Sequence, residues 1–358
     1  MVIIPKSLNT VDVSIIDTGC RIGGIPAAIF TNPQIPGFTT FEGISYVFLV
    51  SHTDSEGKVR RVLFDLGTRK DWENMSPHVV QGTKAVEGAI LEPVENVVDI
   101  LERGGIDKKS IEAFIWSHAH VDHVGDPSTF PPSASLIVGP GIKDEYFPGY
   151  PTKPDAPVLE SDFANREVRQ LDYSGTHLSI GGLPALDYFG DGSFYLLDAP
   201  GHALGHVVGL ARTTPDTFML FTGDVYHHAG QVRPTANAPL PDQIHVPNLI
   251  PNPLPAKLVA KMSPARCCSA PILQPGNVSS DMNAALHTID AIRGFDDDEN
   301  VFLVAAHDRT VSGVVQTFPL LANQWKEKNW KERTKWLFLQ DFQKALDIVV
   351  SAISRGQM

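Results

Sequence analysis

The residues of this chain that could do chemistry are concentrated in one place. Ser117-His118-Ala119-His120-Val121-Asp122-His123 sets three histidines and an aspartate within six positions. Neutral imidazole nitrogens beside a carboxylate are the ligands that a borderline-soft divalent ion such as zinc takes. Few other demands call for that density of imidazole, so the spacing points to a metal site rather than a solvated His-rich loop. The run before it, Ile111-Glu112-Ala113-Phe114-Ile115-Trp116, is mostly apolar and reads as a short strand. The histidines are therefore expected just past a strand end, where a rigid sheet presents loop residues to solvent and substrate.

The same arrangement recurs along the chain. Pro200-Gly201-His202-Ala203-Leu204-Gly205-His206 follows the apolar run Ser193-Phe194-Tyr195-Leu196-Leu197-Asp198. Gly223-Asp224 follows Phe218-Met219-Leu220-Phe221, and Ala305-Ala306-His307-Asp308 follows Val301-Phe302-Leu303-Val304. A lone histidine past a strand says little; repeated strand-end ligands in one chain indicate a shared centre. The three cysteines, Cys20, Cys267 and Cys268, stand apart from these positions.

The elements that must position these residues are legible from periodicity. Val11 to Asp17, Ser45 to Val50 and Lys58 to Asp65 read as strands, with Ser55-Glu56-Gly57 as a hairpin turn before the third. The Gly/Pro-rich stretch from Gly23 to Gly43 reads as a loop flanking the site. Val94 to Arg103 has helical spacing with Gly104-Gly105 as its stop. Leu136 to Gly139, Val207 to Arg212 and Thr217 to Thr222 are further strands. A helix is expected through Ala284, Leu286, Ile289 and Ile292, and a helical segment from roughly Leu320 to Ser354. Strands first, with helices interspersed rather than strictly alternating, predict an α+β layered sandwich. The apolar face of the last helix is expected to pack on the outside of that sandwich, and its width also permits a homodimer interface.

Residues 231–280 hold ten of the chain's 28 prolines, a density that resists regular structure but allows an ordered, wrapped loop. With Ile244, Val246, Leu249, Ile250, Leu254, Leu258 and Val259 as apolar anchors, the segment reads as an inserted lid or interface within a single domain spanning 1–358. Together with Phe38, Phe41 and the region around Trp72, it is expected to shape a substrate pocket.

Composition removes several classes of function. A hydrophobic fraction of 42% with 20% charged residues is ordinary globular composition. The net charge of −12 argues against a nucleic-acid partner, which needs a basic face. No run of 18 apolar residues suggests a membrane span, and the N-terminus lacks the pattern of a secretory signal. Three cysteines, two of them adjacent, do not make a disulfide framework, so a reducing, cytoplasmic setting is expected.

Asp65, His118-x-His120-x-Asp122-His123, His206, Asp224 and His307, in that order, resemble the motif set of the metallo-β-lactamase superfamily. The resemblance spans roughly residues 60–310 and implies an αββα four-layer sandwich with the site at one edge of its two sheets. It implies that His118, His120 and His206 hold one metal, and that Asp122, His123 and His307 hold a second. Asp224 would bridge the two, and Asp65 would orient ligands by hydrogen bonds. His202 is assigned a structural, hydrogen-bonding role. Two zinc ions are implied, with iron or manganese as alternatives, and a hydroxide held between them would attack a carbonyl. Asp122 or Asp224 would then pass a proton to the leaving atom.

Within the superfamily the chain is most similar to lactonase-like members and to fungal members that open γ-lactam or benzoxazolinone rings. That implies hydrolysis of a small cyclic ester, γ-lactam or cyclic carbamate, as in detoxification. Thioester hydrolysis of glyoxalase or polyketide type and a mono-iron persulfide dioxygenase are the alternatives, and a metal-stabilised scaffold is the non-enzymatic one. Two departures from the family pattern stand out. Gly125-Asp126 replaces a Gly-Gly pair, and His227 stands where lactonases place a tyrosine that polarises the substrate carbonyl, with Tyr226 one position earlier. Either Tyr226 or His227 could donate to the substrate oxygen, and Tyr226 could equally be core packing.

Overall fold

Alternation decides which way each strand residue faces. In a computed structural model that describes residues 2–357, strand β1 (Val11–Pro26) turns Val13 and Ile15 to one side and Ile16 to the other. Strand β2 (Thr40–Thr53) likewise sets Phe48 and Val50 against Val47 and Leu49. They join β3 (Val59–Phe64), β4 (Ile90–Glu92), β5 (Ile111–Ile115), β6 (Ser135–Val138) and β7 (Val168–Gln170) in a seven-stranded sheet of order β4-β1-β2-β3-β5-β6-β7. A second, six-stranded sheet contains β8 (Ser179–Ile180), β9 (Leu183–Asp187), β10 (Phe194–Asp198), β11 (Val207–Thr214), β12 (Thr217–Phe221) and β13 (Val301–Val304). Its order is β13-β12-β11-β10-β9-β8. β3, β5, β6 and β7 run parallel, as do β12 and β13.

The two sheets share an inner layer in which Phe48, Phe64, Phe194 and Phe221 meet, Phe48 stacking on Phe221 with ring centroids 4.1 Å apart. On the outside, Val97, Val98, Ile100 and Leu101 of the helix Val97–Arg103 cover Ile16, Val47, Leu49 and Leu63. Ile289, Ile292 and Phe295 of the helix Met282–Asp296 cover Val208, Leu210, Leu220 and Leu303 of the second sheet. The layers are therefore helix, sheet, sheet, helix, the expected α+β sandwich. Burial on both faces explains why β12 and β13 read as unbroken apolar runs. Among the described residues no helix is long and apolar enough to cross a membrane.

Four sequence-based expectations are corrected. The stretch from Gly23 to Gly43 is not all loop, because β1 continues to Pro26 and β2 begins at Thr40. Irregular register at Asp17/Arg21 and Ile22/Ile25 lets the pairing persist through glycines that break the apolar alternation. The segment from Leu320 to Ser354 is not one helix: it divides into Trp330–Thr334, a 3₁₀ turn at Leu337–Phe342 and a terminal helix at Gln343–Ser354. That terminal helix does not cover the sandwich either. Leu346 and Val349 pack with Val246, Leu254, Val259 and Leu273 from the proline-rich segment, while Trp325 and Trp330 enter the core between the sheets. The helix predicted from Val94 begins at Val97, with Val94 exposed.

The proline-rich segment is fastened to the outer helix by a buried ion pair. Arg233 Nε and Nη2 donate to the two Asp296 carboxylate oxygens at 2.7 and 2.6 Å, and Arg233 Nη1 reaches the Lys335 carbonyl at 3.2 Å. Burial opposes both charges, but their mutual attraction raises the Arg233 pKa and lowers that of Asp296. Removing one partner leaves the other charged and dry. Arg233→Ala and Asp296→Ala should each lower the unfolding free energy by about 3–5 kcal/mol. The double variant should lose less than their sum, as read by chemical denaturation.

Candidate metal centre

Five strand ends converge on one site. Asp65 follows β3, the His118–His123 run follows β5, His202 follows β10, Asp224 follows β12 and His307 follows β13. Carboxyl ends of strands are where open sheets present functional loops. Asp65 adopts a left-handed backbone (φ 63°), which aspartate tolerates better than most residues. There its Oδ1 accepts the Ser117 backbone N–H at 2.6 Å and its Oδ2 accepts the Ser117 hydroxyl at 2.9 Å.

Those bonds fix the histidine tautomers. His123 Nδ1 lies 2.8 Å from Asp65 Oδ2, and His307 Nδ1 lies 2.7 Å from the Ile44 carbonyl oxygen. A carboxylate and a carbonyl only accept, so both Nδ1 atoms carry the proton. The Ser117 hydroxyl, already donating to Asp65, accepts from His118 Nδ1 at 3.0 Å. The neutral form of each ring therefore carries its lone pair on the Nε2 that faces the centre, the arrangement that outer partners impose on metal-binding histidines.

The inward atoms form two groups: His118, His120, His202 and Asp224, then Asp122, His123 and His307. His202 Nε2 lies 3.2 Å from His118 Nε2 and 3.1 Å from His120 Nδ1. Asp224 Oδ2 lies 3.5 Å from His202 Nε2 and 3.8 Å from His118 Nε2. In the second group, His307 Nε2 is 3.3 Å from Asp122 Oδ2 and His123 Nε2 is 3.9 Å from Asp122 Oδ1. Asp224 Oδ1 stands 3.2 Å from both His123 Nε2 and His307 Nε2, so its two oxygens face different groups. Two donors bound to one tetrahedral zinc are roughly 3.3–3.4 Å apart, close to most of these separations. His123 Nε2 and Asp224 Oδ1 are buried without a hydrogen-bond partner. Such orphaned atoms are costly unless a cation satisfies them. Donor set, spacing and orphaned atoms all fit divalent cations.

The electrostatics agree. Burial pushes the His118 and His202 pKa values well down, and neighbouring imidazoles push further, so their lone pairs stay free. Burial also opposes charge on His123 and His307, but the surrounding carboxylates outweigh it. Asp224, Asp65 and Asp122 raise His123 well above its ordinary value, and Asp224 and Asp122 raise His307 to about 9. Burial likewise works against the Asp224 charge, yet His307, His123 and His227 hold its carboxyl well below the usual range. The site demands positive charge beside its carboxylates, from protons or from metal.

Most of the residues singled out in the sequence meet here, with two exceptions. His202 takes the place expected of His206. The His206 Nε2 accepts the Asp224 backbone N–H at 3.0 Å, which occupies the lone pair a metal would need. Gly201 makes the turn possible: it sits at φ 129°, and a Cβ there would lie 2.2 Å from the Ala285 nitrogen. Tyr226 is the second exception. It is fully buried against the outer face of the second sheet, away from the donor groups, while His227 lines the pocket beside them.

That pocket, about 560 Å³, is walled by Ile22, Ile25, Phe30, Phe41, Val79 and Leu91 and ends on His120, Asp122 and His307. Phe41 contributes as expected, whereas Phe38 and Trp72 are not among its lining residues, and Val278 is the only lining residue from 231–280. Sequence reasoning missed the helix Pro77–Ala85 on the far wall and the hub role of Ser117. Ser117 could have been noticed from its place directly before His118.

No family model matches the chain. It is 44% identical over 351 residues to the γ-lactamase FDB1 of Fusarium pseudograminearum, covering 95% of this chain and 84% of that one. It is also 44% identical over 353 residues to the cytochrome P450 monooxygenase mpaDE′ of Penicillium brevicompactum, covering 96% of this chain but spanning only 39% of that relative's length. In three dimensions it is similar to an N-acyl homoserine lactone hydrolase solved with N-hexanoyl-L-homoserine at its catalytic metal centre. That match has a TM-score of 0.57 at 15% identity, covers 87% of this chain and 99% of that one, and is a likeness of fold.

The exchange of His202 for His206 can be measured. His202→Ala should weaken metal binding on the order of 100-fold, at the upper end of losses seen even for outer partners. His206→Ala should keep the metal but orphan the Asp224 N–H, lowering stability by about 1–3 kcal/mol. Metal analysis of the dialysed proteins beside thermal unfolding would separate the two, and the reverse pattern would restore His206 as the ligand.

Proposed function

Because the chain belongs to the metallo-β-lactamase superfamily, alongside a γ-lactamase relative, we propose that it is a two-zinc hydrolase opening a small cyclic ester, γ-lactam or cyclic carbamate. The observation that carries this reading is the Asp224 carboxylate, whose two oxygens face separate donor groups at the closed end of an apolar pocket. His118, His120, His202 and Asp224 would hold one ion, and Asp122, His123, His307 and Asp224 the other. Divalent cations there would supply Lewis acidity, bringing the pKa of water towards ~7 and drawing charge from a carbonyl oxygen.

The chain's own residues do the rest. Asp122, 18% exposed, is the most open carboxylate of the centre and can carry a proton between attacking water and leaving atom. Phe30, Phe41, Ile25 and Val121 exclude water around the reacting group, which strengthens every charge interaction there. In this reading the chain works as one domain, and residues 231–280 brace the terminal helix beside the site.

The pocket also weighs against the second reading. Among the described residues that line it there is no lysine or arginine, so a thioester on a polyanionic carrier would meet no counter-charge. A neutral ring suits it better. A pH-stat panel of lactones, lactams, cyclic carbamates and thioesters tests the proposal. Ring opening should dominate, should vanish on removal of metal by a chelator, and should return with zinc. Faster turnover of thioesters would favour the thioesterase reading, and iron content with oxygen uptake the dioxygenase one. Asp122→Ala should reduce kcat by about 10²–10⁴-fold; full activity in that variant would sink the mechanism.

A further inference from the structure

The helix Pro77–Ala85 turns one face to the pocket without burying any residue fully. Val79, Gly82, Thr83 and Val86 all line the cavity, and their spacing of i, i+3, i+4 and i+7 is a single helical stripe. Lys84 is not among the lining residues; its ammonium pairs with Glu73 at 2.6 Å. The aliphatic side chains of Ile25, Val79, Val86 and Leu91 are half-buried, so each keeps part of its surface open to the cavity.

Gly82 is the unexpected member of this stripe. It lies in the helix interior, where glycine is a weaker helix former than any residue but proline. No close approach within the protein requires it, because a Cβ built there would meet no atom within 4 Å. Gly139 and Gly201, by contrast, would drive a Cβ to 1.8 and 2.2 Å from backbone atoms of Gly205 and Ala285. Gly294 is as unhindered as Gly82, but it does not line the pocket. The missing side chain at Gly82 widens the cavity and serves no contact of the fold.

The cavity is also larger than a small ring needs. A dry cavity of about 150 Å³ accommodates benzene, whereas this pocket measures about 560 Å³. A bare ring seated on the donor groups would leave the helix stripe uncovered. That stripe runs for roughly 10 Å along the helix axis, which suits an extended substituent. Its occupant is uncharged, since the lining carries Asp122 and Asp155 and, among the described residues, no lysine or arginine.

We propose that Gly82 is a specificity-determining residue: the groove it leaves between Val79 and Val86 receives an uncharged hydrocarbon substituent on the ring that is opened. The inference rests on the ring-opening reading above and adds to it which rings are preferred. Burying the substituent there contributes to binding and takes no part in the chemistry at the donor groups. Filling the groove should therefore act on KM for substituted rings and spare bare ones.

Calorimetric titration of the purified protein with cyclopentanone, bare or bearing a linear alkyl substituent, tests this. Such ketones have no leaving atom, so binding is read without turnover. The alkyl-bearing ketone should bind about 10–100-fold more tightly than the bare one. Gly82→Leu, which places a side chain in the groove, should erase that preference and leave binding of the bare ketone unchanged. Lys84→Leu, which adds the same side chain away from the pocket lining, should keep the preference. If Gly82→Leu does not fold, Gly82→Ala, which favours the helix, should reduce the preference in part. With lactones or lactams as substrates, Gly82→Leu should raise KM for alkyl-bearing rings about 10–100-fold and leave kcat for bare rings unchanged. Equal preference in Gly82→Leu and the unsubstituted protein, or no preference in either, would overturn the inference even where rings are opened. Gly82-dependent binding of the alkyl-bearing ketone with no ring opened would overturn the hydrolase reading and leave the subsite standing.

Discussion

A buried carboxylate amid imidazoles is the constraint on which this structure turns. Asp224 is 3% exposed, and its charge persists only because cationic partners offset the loss of water. Without metal, that balance rests on protons held by His123 and His307, whose pKa values the carboxylates raise. With a divalent ion the same nitrogens would present lone pairs instead. Either way the carboxylate must be reached from several directions at once, and the fold must bring those directions together.

The sandwich does so through backbone bonds between strand ends. The Val207 N–H donates to the Ser117 carbonyl, joining the end of β5 to the start of β11 across the two sheets. The Ala306 N–H reaches the Gly223 carbonyl, and the Tyr46 N–H reaches the Ala306 carbonyl, so the loops after β12 and β13 are fastened to β2. Gly223 itself sits at φ 49°, where a Cβ would lie 2.8 Å from His206 Nε2 and 3.1 Å from the Ser117 side chain. The loop after β12 can approach His206 closely only because that position has no side chain. His206 therefore acts through Asp224, holding its backbone by the N–H and so aiming the carboxylate.

The histidines were legible in the sequence because each follows a run of apolar residues that the two-sided burial of the sheets explains. The choice between His202 and His206 was not legible. They lie four residues apart, each directly after a glycine, and only the turn decides which ring points inward. Gly201 packs against the start of the helix Met282–Asp296, and Gly205 packs against Gly139 and Ile142, contacts between parts of the chain far apart in sequence. The far wall of the pocket escaped for a related reason. The helix Pro77–Ala85 buries no residue fully, so its apolar positions do not mark a core-facing stripe. The terminal helix carried a clear stripe, but a stripe names no partner, and its partner proved to be the proline-rich segment rather than a sheet.

The shape of the centre also bears on what leaves it. Opening a neutral lactone or lactam ring creates a carboxylate where none existed. The pocket lining offers that new charge no lysine or arginine among the described residues, and it presents Asp122 and Asp155 instead. At a separation of ~4 Å, two like charges at an effective dielectric of about 20 repel by roughly 4 kcal/mol. Any hold on such a product would therefore come from cations at the donor groups rather than from the walls. The walls would favour the uncharged, apolar form that enters over the charged form that departs. A pocket built in this way would bind a neutral ring by burial and lose a charged product by repulsion, with Asp224 and its imidazoles positioned where the two states differ.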